Sequence, residues 1–433
     1  MLFRFSLYGF LKNQRYFEPF LMLVFLEKGM SFFAIGLLVA FREACINLLG
    51  IPTGAIADVC GRRRAMILSF AAYIVSFVVF AFSANAPLLY LAMGLFAVGE
   101  SFREGTHKAM IFTWLRIHGR EAERTRIYGY TRSWSQIGSA VSVALAAIFV
   151  IATDGYRYVF LFAIVPYALG IANFLSYPAE LDGDLDERAG VRAVAAHLKE
   201  AVGQSLRKPG LRRLMLESMG FEGVFKAVKD YLQPVIKAAA AGALAASGVW
   251  FFSAGGGWSE TQRSAALVGI VYFALYLLSA WGSRQAHRLS DRLGGDEGSS
   301  RALWLAAAAL YGAVLVGGWF GATGVLIAAF ALLHVAQSAW RPTIISRFDD
   351  QAEERQGATV LSIEGQAQGL ATLGLAPIVG LAIDAVRKAE FGGPFWPAGA
   401  AGLAIAAAFI VWPPKRTADG APGAAAQPLP PGA

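Results

Sequence analysis

Ionisable side chains interrupt several of the longest apolar stretches of this 433-residue sequence. A charged side chain inside a bilayer costs about 2.5–3.5 kcal/mol or more, so it is expected to face a partner or a water-filled cavity. A carboxylate in such a low-dielectric cavity binds a proton readily and can release it when the cavity opens to either side. We therefore predict proton exchange at Glu27, Glu100 and Glu222.

Further polar residues in the same stretches are predicted to line a substrate cavity: Arg103, Glu104, Lys226, Asp230, His334, Gln337 and Glu364. Two roles remain open for the cations in this set. Arg103 and Lys226 can bind an anionic substrate, or they can stabilise the ionised form of a neighbouring carboxylate after the substrate leaves.

The alternative interpretation is that these charges form structural pairs along single helices. Glu100 or Glu104 can pair with Lys108, because residues three or four apart share one helical face. Glu222 can pair with Lys226 in the same way. The number of such charges exceeds what packing requires, which favours a cavity.

The elements that must position these residues are membrane-spanning helices. The chain is 56% hydrophobic and 16% charged, with a mean hydropathy of +0.50. This composition is typical of membrane proteins. Apolar stretches of about 20 residues recur along it, which is the length of a helix that crosses a bilayer. We predict an all-α membrane protein whose twelve helices form two pseudo-symmetric six-helix bundles. The predicted helices are 17–39, 42–58, 65–84, 87–110, 131–152, 157–177, 212–235, 264–286, 302–321, 323–344, 358–383 and 395–412.

The helices divide the chain into four parts. Residues 1–180 form the first bundle and residues 212–412 the second. A cytoplasmic linker at 181–211 is predicted to contain an amphipathic helix, and the Ala/Pro-rich tail at 413–433 is predicted to be disordered. Lys12 and Arg15 are predicted to precede the first span.

The distribution of basic residues predicts the orientation. Most of the 38 lysines and arginines fall in the termini and the even-numbered connections, which predicts that both termini are cytoplasmic. The expected location is the inner (plasma) membrane. The same bias accounts for the net charge of +8 without a nucleic-acid partner. The two cysteines do not form a disulfide framework or metal-ligand spacing, and no cofactor or metal is expected.

A glycine-rich and basic segment stands between the second and third predicted helices. Gly54 and Asp58 share one helical face, where the glycine would let a neighbouring helix approach closely. Gly61 allows the chain to reverse direction. Arg62 and Arg63 could pair with Asp58 or with carbonyls at the helix end.

This segment resembles the loop signature of the major facilitator superfamily. The matching residues are Gly54, Ala57, Asp58, Gly61, Arg62 and Arg63, whereas Val59 replaces the usual basic residue. The resemblance implies a latch that holds the cytoplasmic side shut in the outward-facing state. It also implies that helices one, four, seven and ten line the central cavity.

A shorter copy of the signature follows the eighth predicted helix, as expected if the two halves are repeats. It contains Asp291, Arg292 and Gly294, which we assign to the same cytoplasmic gate.

The resemblance implies a secondary active transporter that works by alternating access. We expect proton coupling. Efflux is the commoner direction in families that resemble this one. Aromatic residues accompany the mixed charges and favour a small amphipathic organic solute. These are Trp134, Phe221, Phe225, Tyr231, Tyr272, Tyr276 and Trp340. The expected partners are the substrate, protons and the lipid bilayer, and the expected state is a monomer.

Three alternatives remain open: a facilitated-diffusion uniporter, an uptake permease, and a sensor or scaffold with the same fold that does not transport. An enzyme is not expected, because the sequence contains neither an HExxH motif nor a Gly-x-Ser-x-Gly motif.

Overall fold

The computed structural model describes residues 1–104, 106–182, 203, 207–242, 257–351 and 357–412. These residues form fifteen α-helices joined by short turns and 3₁₀ segments. The helices are α1 (Leu2–Lys12), α2 (Leu21–Glu27), α3 (Phe32–Cys60), α4 (Arg62–Phe82), α5 (Ala86–Arg103), α6 (Thr106–Ile117), α7 (Arg124–Thr153), α8 (Tyr158–Leu175), α9 (Pro209–Val228), α10 (Leu232–Ala241), α11 (Glu260–Arg292), α12 (Asp296–Trp319), α13 (Thr323–Gln351), α14 (Gly357–Ala389) and α15 (Trp396–Val411).

Eight helical stretches within the described part of the chain are long and apolar enough to cross a membrane. They are Phe32–Gly50, Arg62–Phe82, Arg126–Thr153, Tyr158–Leu175, Glu260–Arg292, Asp296–Trp319, Thr323–Asp349 and Ser362–Ala389. The remaining helices are shorter or less apolar. Three pairs of them, α1 with α2, α5 with α6 and α9 with α10, follow one another across an interruption of the helix.

The bounds predicted for the first two helices, 17–39 and 42–58, are wrong. The chain turns at Lys28–Ser31, where Gly29 has φ +81°. The Ser31 hydroxyl then accepts from the amide of Ala34 to begin α3. This turn is too short to lower the hydropathy of a window centred on it. Glu27 therefore ends α2 and does not lie in the middle of a span.

The position predicted for Lys12 and Arg15, ahead of the first span, is also wrong. Residues Leu2–Lys12 are helical, and their apolar face is buried against α7 and α8. Gly9 and Gly138 allow this contact, since a Cβ at Gly138 would lie 2.6 Å from the carbonyl oxygen of Phe10. Small residues let helices approach this closely. Lys12 and Arg15 consequently lie inside the helical assembly.

The predicted helix 87–110 is interrupted, because α5 ends at Arg103 and α6 begins at Thr106. The predicted helix 212–235 is longer than expected: α9, a 3₁₀ turn at Lys229–Tyr231 and α10 together reach Ala241. Most of the predicted linker at 181–211, with most of its amphipathic helix, and the whole predicted tail at 413–433 lie outside the described residues.

The packing of the first eight helices recurs in the last seven. In the first set α1 packs on α7, α3 on α5, and α4 on both α5 and α8. In the second set α9 packs on α14, α11 on α13, and α12 on both α13 and α15. Two contacts, α3 with α14 and α7 with α11, join the sets and enclose the space between them.

Candidate functional site

The helices α3 and α14 diverge from one end of the assembly to the other. A Cβ at Gly36 would lie 2.5 Å from the carbonyl oxygen of Ala376, and a Cβ at Gly380 would meet the backbone of α3. At the opposite end, a Cβ on Gly54 or Gly365 would have no neighbour within 4 Å. We call the first end the closed end and the second the open end.

Polar contacts between the two helix sets seal the closed end. The amide of Met22 donates to Oε1 of Gln233 at 2.8 Å, and Nε2 of Gln233 donates to the carbonyl oxygen of Glu18 at 2.9 Å. The side chain of Glu18 lies 3.8 Å from Nζ of Lys229. These contacts tie the segment around α2 to the start of α10.

A carboxylate also crosses the closed end. Asp384 on α14 accepts from the amides of Phe32 and Phe33 at 3.1 and 2.7 Å. These amides begin α3, where an anion is favoured by the unpaired N–H groups and by the helix dipole. Asp384 therefore fixes the start of α3 against α14.

The tight crossing at the closed end predicts an effect of Gly36→Val. The added side chain would overlap the α14 backbone and force the two helices apart, and overpacking of this kind costs about 1–3 kcal/mol. We expect a lower thermal midpoint for the purified protein in detergent. The matched control is Gly374→Val, because a Cβ at Gly374 would meet nothing within 4 Å. Equal midpoints for the two variants would contradict the close contact.

A cavity of about 1280 Å³ lies between the two sets of helices and is lined mainly by α1, α3, α5, α9, α13 and α14. Its wall carries both signs of charge. The basic lining residues are Lys12, Arg15, Arg42, Arg103, Lys108, Lys226, Lys229 and Arg341, and the acidic ones are Glu18, Glu43, Glu100, Glu104, Glu222 and Asp230. A cavity of this size can hold an organic molecule.

Glu100 lies at the centre of a charged cluster on the first wall. Nη2 of Arg15 donates to its two carboxylate oxygens at 3.2 and 3.3 Å, and Arg103 donates to it from one helical turn away. The hydroxyl of Tyr73 donates to the same carboxylate. The Glu100 carboxylate thus accepts hydrogen bonds from two guanidinium groups, and their positive charges stabilise the ionised carboxylate.

Glu222 on the opposite wall has a different environment. It is only 3% exposed, and Nε2 of Gln337 donates to its two oxygens at 3.0 and 3.2 Å. Within the described residues, no basic nitrogen lies within 4.0 Å of this carboxylate. Lys226 is one helical turn away and donates to Oε1 of Gln368 at 2.9 Å instead.

Glu364 is fully buried behind the same wall. Its Oε1 accepts from Ser218, Arg341 and Gln368, while Oε2 has no hydrogen-bond partner in the described structure. Glu364 does not line the cavity, although Arg341 extends from it to the cavity wall. Two of its partners, Arg341 and Gln368, lie between Glu364 and the cavity.

The cavity brings together most but not all of the predicted site residues. Glu27 is exposed at the end of α2 and does not line it. His334 packs edge-on against Phe225, with ring centroids 4.8 Å apart, and its Nδ1 lies 2.8 Å from the carbonyl oxygen of Phe330. His334 is thus held behind the wall, whereas Glu104 and Asp230 line the cavity as predicted.

The predicted pairing with Lys108 is wrong. Its ammonium lies 5.5 and 5.6 Å from the ring centroids of Tyr128 and Phe112. This arrangement is typical of a cation–π contact. Glu100 pairs with arginines instead. The predicted pairing of Glu222 with Lys226 is also wrong, because each side chain bonds to a glutamine on a neighbouring helix.

Several lining residues were not predicted, namely Lys12, Arg15, Glu18, Arg42 and Glu43. Lys12 and Arg15 were missed because the first helix was placed too late in the chain. The apolar stretch Leu2–Leu11 ahead of them is the signal that could have revealed an earlier start.

The glycine-rich segment occupies the turn between α3 and α4. Gly61 has φ +97° at this reversal. Nη1 of Arg62 donates to Oγ1 of Thr113 at 2.9 Å, and the amide of Arg63 donates to Asp182 at 2.7 Å. The close helix approach predicted at Gly54 is not formed in this conformation, since a Cβ there would have no neighbour within 4 Å among the described residues.

Asp58 is the predicted carboxylate partner of Arg62 and Arg63. The side chain of Asp58 lies outside the described residues. For Arg63 the observed carboxylate is Asp182, which follows α8 and lies 3.9 Å from Nε. The segment therefore connects the α3–α4 turn to the end of α8.

The shorter copy of the signature ends α11. Asp291 and Arg292 are exposed in its last turn, and Gly294 has φ +79° in the turn that follows. The reversal is thus present at the equivalent place in the second set of helices.

The sequence profile of the Major Facilitator Superfamily matches residues 13–259. The chain belongs to this superfamily. Membership confirms the resemblance drawn from the Gly54–Arg64 segment, and it identifies the protein as an integral membrane protein and a transporter rather than an enzyme.

Solved structures of superfamily transporters share the fold. The nucleoside transporter NupG is 9% identical, with a TM-score of 0.73 over 95% of this chain and 96% of that one. A POT family transporter in complex with a thioalcohol-conjugated peptide is 13% identical, with a TM-score of 0.69 over 95% of each chain. A D-xylose–proton symporter is 15% identical, with a TM-score of 0.60 over 94% of this chain and 95% of that one. Comparison with curated protein sequences finds no match.

These identities are low, so the solved structures establish the major facilitator fold and not the substrate. The cavity between the two helix sets remains the candidate site for the solute.

Proposed function

We propose that this superfamily member is a proton-coupled secondary transporter that exports a small amphipathic organic solute by alternating access. The observation that carries the coupling is the environment of Glu222. A buried carboxylate beside a cavity, with an amide and no cation next to it, is suited to binding and releasing a proton.

The proposed topology has twelve membrane passes. Eight are the long apolar stretches, and the others are α1 with α2, α5 with α6, α9 with α10, and α15. The repeated packing pattern supports two six-pass bundles at residues 1–180 and 212–412, each moving as a unit.

The proposed location is the inner membrane, with both termini and the open end in the cytoplasm. The basic residues of the α3–α4 turn, Arg62 to Arg64, lie at this end, as the positive-inside rule requires. The conformation described here is then inward-facing. To close the cavity on the cytoplasmic side, α3 and α14 must approach at Gly54 and Gly365. To open it on the other side, they must separate at Gly36 and Gly380.

Glu222 links this motion to protons. In the inward-facing state its carboxylate exchanges a proton with water in the cavity, and in the outward-facing state with the opposite side. A solute that binds in the cavity alters the affinity of Glu222 for a proton, and by linkage the proton alters the affinity for the solute by the same factor.

A flux assay in proteoliposomes tests this function. The interior is loaded with a pH-sensitive dye, the membrane potential is clamped, and aromatic organic ions of fixed charge are added in the presence of a pH gradient. We expect solute-dependent proton movement that is absent from liposomes without protein. Solute flux that ignores the gradient in both directions would indicate a uniporter, and no flux with any solute would favour a sensor or scaffold.

The uniporter is the second candidate, and one observation favours it. Two of the three predicted proton carriers are poorly placed: Glu100 is held between two arginines, and Glu27 is exposed outside the cavity. Proton coupling therefore depends on Glu222 alone among these three.

A further inference from the structure

Basic side chains outnumber acidic ones on the wall contributed by α1 and α5. Arg15 and Arg103 share the single carboxylate of Glu100, so this cluster retains one positive charge. Lys12 lies one turn before Arg15 and also lines the cavity. Among the described residues no carboxylate oxygen lies within 4.0 Å of its ammonium nitrogen, whose recorded contact is the ring of Tyr8 at 5.4 Å.

An uncompensated ammonium group next to an arginine-rich cluster attracts an anion. Burial makes this attraction stronger than at a protein surface, because a partly enclosed cavity screens charge less than bulk water does. Lys12 can also donate up to three hydrogen bonds, which suits a carboxylate, sulfonate or phosphate group.

The same wall carries an apolar surface nearer the closed end. Phe96 is the partly exposed ring of this surface, and the buried rings of Phe17 and Phe160 pack behind it. The ring centroids are 5.5 Å apart for Phe17 with Phe160 and 5.8 Å apart for Phe17 with Phe96. Tyr73 joins this surface to the charged cluster, because its ring contacts Phe96 at 5.0 Å and its hydroxyl bonds to Glu100. One ligand can therefore touch both surfaces.

The opposite wall does not offer a comparable site for a cation. Both oxygens of Glu222 already accept from Gln337, and the residue is almost fully buried. The charge of Arg341 is balanced by Glu364, and Lys229 lies within 4.0 Å of two carboxylates. The ammonium of Lys226 donates to Gln368, whereas that of Lys12 has no hydrogen-bond partner among the described residues. An anionic ligand is therefore better placed at Lys12.

We propose that the solute is an organic anion with an aromatic or otherwise apolar body, whose acidic group binds Lys12 beside Arg103 and whose body packs on Phe96, which is backed by Phe17 and Phe160. This assignment rests on the transport function proposed above and narrows the substrate of the same cavity.

Two probes with one ring system and opposite fixed charges test the assignment: naphthalene-1-sulfonate and 1-naphthyltrimethylammonium. Binding to the full chain in phosphatidylcholine nanodiscs is measured by calorimetry. We expect the sulfonate to bind and the ammonium compound to bind at least about tenfold more weakly, which is the loss expected for one charge-assisted hydrogen bond.

Variants localise the site. Lys12→Gln is expected to weaken sulfonate binding about tenfold or more, and Lys12→Arg to retain most of it. The matched control is Lys28→Gln, because Lys28 donates to the carbonyl oxygen of Ser83 and does not line the cavity. Equal effects of Lys12→Gln and Lys28→Gln would overturn the site.

Failure of this assignment can be distinguished from failure of the transport function. If the ammonium compound binds better and drives proton flux in proteoliposomes, the transporter stands and the anion assignment is overturned. If neither probe binds, the assignment is overturned as well. If the sulfonate binds through Lys12 but no solute produces flux, the anion site is supported and the proposed transport function is contradicted.

Discussion

Replacement of Glu222 by glutamine is expected to abolish accumulation driven by a pH gradient while leaving solute exchange intact. Glutamine has nearly the same shape and can still bond to Gln337, but it cannot release a proton. A gradient of about one pH unit stores about 1.4 kcal/mol per proton, enough for about tenfold accumulation if one proton moves per solute. We expect this accumulation to fall to the level of simple equilibration.

The measurement compares two assays on the same proteoliposomes. Uptake or release of an aromatic organic ion is followed under a pH gradient with the membrane potential clamped, and counterflow of the same ion is followed without a gradient. Glu27→Gln is the control, since Glu27 is an exposed carboxylate that does not line the cavity. Gradient-driven accumulation that survives Glu222→Gln would exclude this residue as the coupling site.

Replacement of Glu217 by glutamine is expected to have the largest effect on stability. Glu217 is almost fully buried, accepts from Nε of Arg213 at 2.8 Å, and accepts from Nη1 of Arg347 at 2.6 Å. Arg347 is also buried and donates to Ser300 as well. Removing the carboxylate leaves a buried guanidinium group without its counter-ion, which costs about 3–5 kcal/mol.

Unfolding of the purified protein in mixed SDS and dodecyl maltoside micelles measures this loss. The control is Glu260→Gln, because Glu260 forms an exposed pair with Lys237. A pair of this kind contributes at most about 1 kcal/mol. A second change, Glu217→Gln with Arg347→Gln, should recover part of the loss, since it removes the unpaired charge. Equal stability of the Glu217 and Glu260 variants would show that the buried pair is dispensable.

The sequence was sufficient to predict the fold where helices are long and uniformly apolar. The later spans, such as Asp296–Trp319 and Thr323–Asp349, lie close to their predicted positions for this reason. The first helix was misplaced because the turn at Gly29 contains four residues and joins two apolar segments. Hydropathy averages over such a turn and cannot detect it.

The candidate site could be predicted only as a set of residues, without their pairing. Glu100, Arg103, Glu222 and Lys226 were assigned to the cavity because charges are rare inside apolar stretches. The partners could not be assigned, since Arg15 reaches Glu100 across 85 positions of sequence. Local spacing along a helix favours short-range pairs and contains no information about a partner on another helix.

The interruption between α1 and α2 has a consequence for biosynthesis. Lys12 and Arg15 lie near this interruption. Each basic residue at the centre of a nascent helix opposes insertion by about 2.5–3.5 kcal/mol. The carboxylate that compensates Arg15 is synthesised 85 residues later, whereas the strongly apolar stretch Phe32–Gly50 emerges directly after α2. The first segment of this protein is therefore expected to enter the bilayer as a hairpin with α3, and to reach its final position only when α5 leaves the ribosome.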